Sequence, residues 1–102
     1  MSQTAERDAL LARRLDLVAQ VRALTAEAQL LNQNLAGIEM DVLRLELEIG
    51  RRGATEQLVQ DLHEAEANAV AIRQEGLACE QRIVAAEADL DEVDRGLAGN
   101  GN

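Results

Sequence analysis

Two heptad tracks of matched length constrain this chain more than any other feature. The first runs Leu10, Arg14, Leu17, Val21, Leu24, Ala28, Leu31, Leu35, Ile38, Val42, Leu45, Ile49. The second runs Leu58, Leu62, Ala65, Ala69, Ile72, Gly76, Cys79, Ile83, Ala86, Leu90, Val93, Leu97. Strict alternation of three- and four-residue steps is the pattern of a helix that buries one narrow stripe. Of the 24 stripe positions 22 are apolar, against 26 of the other 78, so the stripe is a selected pattern and not chance clustering. Gly50-Arg51-Arg52-Gly53 lies between the tracks and predicts a turn. If the chain folds back there, stripe residues pair so that their numbers sum to 107, from Ile49 opposite Leu58 out to Leu10 opposite Leu97. Every a position then meets a d position. Several large residues also meet small ones, as with Ile38 and Ala69, Val42 and Ala65, or Leu31 and Gly76.

The expected fold is therefore all-α: an antiparallel coiled-coil hairpin with helices over about 4–50 and 55–96, forming one domain over 1–102 with a flexible 96–102 tail. Proline is absent, so nothing interrupts either helix. Phe, Tyr and Trp are absent too, which removes the side chains with the largest burial and leaves a core of thin aliphatic layers. Ser2 or Thr4 is a candidate N-cap, with Glu6 and Asp8 placed in the first turn for the helix dipole. At the other end of the first helix, Gly50 or Gly53 is the candidate C-cap and Thr55 the next N-cap.

Charge carries a weaker signal for the same pairing. Arg7, Arg13 and Arg14 approach Asp89, Asp91, Glu92 and Asp94 at the open end. Glu27 is expected opposite Arg82 and Asn32 opposite Arg73, whereas Glu39 faces Glu66 and Glu48 faces Asp61. Exposed pairs contribute only a few tenths of a kcal/mol, so packing decides the pairing.

The stripes leave large apolar residues unused. Val70, Leu77 and Val84 recur every seven residues on one flank of the second helix, and Leu11, Leu15, Val18, Leu43 and Val59 fall on the same side. An apolar strip of that kind marks a partner surface. The expectation is that two hairpins pair along it as a homodimeric four-helix bundle. Glu39, Glu66, Glu80 and Glu87 border the strip and would stay solvated at its rim. Arg51 and Arg52 at the tip are placed to favour the helix C-terminus, and are also candidates for docking an acidic partner.

The net charge of −9, with all ten basic residues arginine, excludes the basic patches that nucleic-acid or anionic-membrane binding needs. No apolar run reaches membrane-spanning length and no basic-then-apolar leader is visible, so a cytoplasmic location is expected. Cys79, the one cysteine, falls on the stripe and reads as a small buried hydrophobe. His63 with Asp61, Glu64 and Glu66 is at most a weak surface site. No phosphate loop, Cys-x-x-Cys pair or catalytic triad is present, so neither enzymatic activity nor a cofactor nor a metal is expected.

In outline the acidic hairpin, with its central turn, resembles the WXG100 secreted family. It departs from that family in having Gly50-Arg51-Arg52-Gly53 where the family carries Trp-x-Gly. By shape it is also similar to the coiled-coil hairpin stalk proteins of type III and flagellar export. The residues themselves point to a structural or assembly module that works through protein–protein contact or self-association. The resemblances imply an alternative: a secretion-associated protein, either exported or acting as a small acidic chaperone.

Overall fold

A computed structural model describes residues 2–100. It contains two helices, α1 (Ser2–Arg52) and α2 (Glu56–Asn100), joined as a helical hairpin, with no strand among the described residues. Every stripe position except Arg14 is buried or half-buried, and the seven buried residues among the described ones all lie on the stripes. Five contacts between α1 and α2 join residues whose numbers sum to within 5 of 107. That spread is the reach of the side chains involved.

The connection is built as the residue types dictate. Gly53 adopts a positive φ of 91°, and its amide donates to the Ile49 carbonyl at 2.8 Å, ending α1. Only glycine takes that conformation without strain. Thr55 then caps α2. Its hydroxyl accepts from the Leu58 amide at 3.2 Å, and its carbonyl accepts from the Val59 amide at 3.0 Å, which starts the helical ladder. Of the two candidate C-caps, Gly53 therefore serves and Gly50 remains helical.

Both helices extend past the expected ends. α1 begins at Ser2, so Thr4 lies inside the helix and is no cap. Glu6 and Asp8 fall beyond the first turn, which contains no acidic residue, and they lose most of the favourable dipole term. α2 passes 96 and ends at Asn100, while Gly101 and Asn102 lie outside the described residues. Gly96 does not break the helix, because Leu97 after it is half-buried and continues the stripe.

The chain divides into two compact units. In the first, the described residues up to Glu27 pack against the described residues from Cys79 onward. Leu17 and Cys79, each 1% exposed, are its best-buried side chains, joined by Leu24, Ala86 and Val93. A Cβ placed on Gly96 would lie 3.3 Å from Leu10 Cδ1, so the helices approach closely there. Arg14 Nε donates to Asp94 Oδ1 at 2.8 Å, and Arg13 meets Asp89 at 3.7 Å, as the open-end charges predicted. Both ion pairs are half exposed. Each contributes no more than about 1 kcal/mol, against about 1.5–3 kcal/mol for burying a leucine such as Leu17. Packing leads and charge follows.

The second unit is Ala28–Ala78 and contains the turn. Leu45 and Ala69 are its buried residues, and the remaining stripe positions are half-buried. Arg73 reaches Glu39 at 3.4 Å and not the expected Asn32. A guanidinium long enough to choose between an amide and a carboxylate gains more from the carboxylate. Glu48, expected to face Asp61 unfavourably, has Arg52 at 3.7 Å one turn along its own helix. The Leu31–Gly76 layer also differs from expectation. A Cβ at Gly76 would have no heavy atom within 4 Å, so glycine there permits no close approach and leaves unfilled space.

The two glycines should therefore respond oppositely to the same substitution. Gly76→Ala adds a methyl to open space in a helix interior and should raise stability by about 0.5–1 kcal/mol. Gly53→Ala forces a Cβ into the left-handed region and should lower it by about 1–2 kcal/mol. Urea denaturation followed by circular dichroism measures both, and a destabilised Gly76→Ala chain would contradict the open layer.

Candidate interaction surface

The expected flank is exposed in both units, and within each unit its members are spread along the helices. In the Ala28–Ala78 unit, Leu43 is 55% and Val70 51% exposed, Leu77 is exposed, and Val59 is half-buried. In the other unit, Leu11, Leu15 and Val84 are exposed and Val18 is half-buried. Leaving a side chain such as Leu43 half in water forgoes about half of the transfer free energy that seats Leu45, two residues away, in the seam.

Two of the expected residues come together in a groove between the helices of the Ala28–Ala78 unit. It has a volume of about 390 Å³ and is lined by Glu39, Val42, Leu43, Glu66, Ala69, Val70 and Arg73. Its origin is in the sequence. Ala69 is a stripe residue with a single methyl, buried beside the half-buried Val42, and neither is long enough to fill the space toward the flank. Leu43 from α1 and Val70 from α2 stand beside this small-residue floor as apolar walls. On this side the residues of the seam leave an opening and do not close it.

The groove is charged along its edges. The Glu39–Arg73 ion pair spans from one helix to the other. Glu66 has no ion-pair partner among the described residues. The sequence pattern identified Leu43 and Val70 but not Val42 and Ala69, which count as seam residues by spacing. The single methyl of Ala69 on the stripe is the signal that could have located the opening.

The remaining candidates are dispersed. Val59 lies with Glu56, Gln60, His63, Glu64 and Ala67 along an exposed hollow on α2. No group of three or more His, Cys, Asp or Glu residues among the described ones could hold a metal ion. At the tip, Arg52 turns to Glu48 of its own helix, while Arg51 is exposed in the last turn of α1. Among the described residues no helix is long and apolar enough to cross a membrane. Cys79 is buried, and its Sγ lies 3.2 Å from the Leu24 carbonyl oxygen, within reach of a weak S–H donor.

Comparison with protein-family models, with characterised proteins and with solved structures finds no match. The surfaces of the hairpin are accordingly the basis for a functional reading.

The burial of Cys79 carries a direct consequence. A disulfide-exchange reagent should label it in native buffer about a hundredfold or more slower than in guanidinium, because reaction must await opening of the helix pair. Native labelling at the rate of a free thiol would show that this layer is open in solution.

Proposed function

We propose that this chain is a non-enzymatic coiled-coil assembly module. Its seam makes a scaffold, and its exposed apolar flank holds helices of another polypeptide. The single observation behind this reading is the groove of the Ala28–Ala78 unit, where Leu43 and Val70 stand half in water beside an apolar floor. A second copy of the hairpin, pairing along the flank into a four-helix bundle, is one way to cover it, and a helix of a different protein is the other. Both use the same physics. Apolar side chains on the incoming helix displace water from the groove, and polar residues remain at the rim.

The reading requires the flank residues to be spare to folding. Leu43→Gln and Val70→Gln should each change the unfolding free energy of the isolated chain by no more than about 0.5 kcal/mol, whereas Leu45→Ala should cost about 2–5 kcal/mol. Losses at Leu43 and Val70 as large as at Leu45 would assign them to the fold and remove the proposal. Light scattering across the micromolar range identifies self-pairing: a mass twice the 11.1 kDa of one chain that reverts in the Leu43→Gln/Val70→Gln variant marks a second copy as the cover.

A further inference from the structure

We infer that the groove of the Ala28–Ala78 unit takes an amphipathic helix of a different protein, one whose apolar stripe is bordered by arginine or lysine. This rests on the assembly reading above and names the chemistry of the partner. Two features of the groove select it. Its shape comes first: Val42 and Leu43 on α1, with Ala69 and Val70 on α2, give an apolar lining to an open groove between the helices, into which an aliphatic side chain of a third helix can be seated.

Charge then chooses between occupants. The rim carries two carboxylates and one guanidinium, and the guanidinium, Arg73, is already held by Glu39. Glu66 is left as an exposed anion with no ion-pair partner among the described residues. A second copy would bring the same excess of negative charge to a symmetric contact, on a chain whose net charge is already −9. Like charges brought together at an interface suppress that pairing. A basic-bordered helix instead supplies a partner for Glu66 and is drawn in by the field of the whole chain. The same apolar hole thus discriminates by its rim: aliphatic side chains supply the burial and the carboxylates reject acidic or self-like neighbours.

The test uses the full chain and three synthetic three-heptad peptides with identical leucine stripes, bordered by arginine, by glutamine or by glutamate. Titration calorimetry should show saturable one-to-one binding of the arginine peptide, about tenfold tighter than the glutamine peptide, with no binding of the glutamate peptide. Raising salt should narrow the difference between the first two. Glu66→Gln should reduce the arginine peptide's advantage several-fold, and Leu43→Gln/Val70→Gln should abolish binding of every peptide. The inference is overturned if the three peptides bind alike, if none binds, or if arginine-peptide binding survives Leu43→Gln/Val70→Gln, which would be diffuse charge attraction outside the groove. A dimer that dissolves in the Leu43→Gln/Val70→Gln variant and binds no peptide would place a second copy in the groove. That result rejects this inference while upholding the assembly reading. The assembly reading fails separately, if the two flank substitutions unfold the chain.

Discussion

The fold depends on burying thin aliphatic layers between two helices that have no aromatic residue to anchor them. A domain with a globular centre can concentrate its stability in a few large side chains, but a helix pair cannot. Here all but one of the layers contribute a leucine, valine or isoleucine, the exception being Ala28 with Cys79, and most of the stripe residues are only half-buried. Stability is therefore spread over many small terms, and the pattern must be kept without interruption. The absence of proline and the unbroken three–four spacing follow from that need. Ion pairs such as Arg14–Asp94 sit at the edge of the seam and reinforce a pairing already chosen by packing.

How much of this was legible in the sequence follows from what kind of force sets each feature. The stripes were legible because burial of a helix face is periodic, and Leu17, Leu24, Leu45, Ala86 and Val93 are buried where the period puts them. The turn was legible because positive φ selects glycine and an N-cap selects a hydroxyl, which named Thr55 and narrowed the C-cap to Gly50 or Gly53; the backbone φ decides for Gly53. Helix ends were misjudged because weak helix formers such as Gly96 and Gly99 do not stop a helix whose next stripe residue, Leu97, is still packed. The partner of Arg73 was missed for a different reason. A long, flexible side chain selects among several neighbours by charge, and linear pairing rules do not contain that choice.

The groove was half legible. Spacing identifies which residues leave the seam, so Leu43 and Val70 were expected at the surface. It does not reveal where the seam is too thin to fill its own flank. That depends on the absolute size of facing side chains. Matching large residues with small ones brings helices close without guaranteeing that the space between them is filled on both sides. Gly76 shows the same limit in its plainest form. It sits on the stripe, faces a leucine layer by register, and still leaves room for a methyl group.

Small residues at the helix contact serve two different roles. Where one permits close approach, as at Gly96 beside the stripe against Leu10, the benefit is to the fold. At Ala69 the small residue instead opens the floor of a groove whose walls face water, and the benefit lies outside the hairpin. A longer residue at that floor, an isoleucine or leucine, would fill the groove and take Leu43 and Val70 out of use as walls, at the risk of forcing the helices apart. Keeping alanine there forgoes buried area in a fold with little to spare. The acidic rim then gives the opening a preference that an apolar hole alone lacks. Shape admits any aliphatic knob, and the unpaired carboxylate of Glu66 favours one carried on a basic helix.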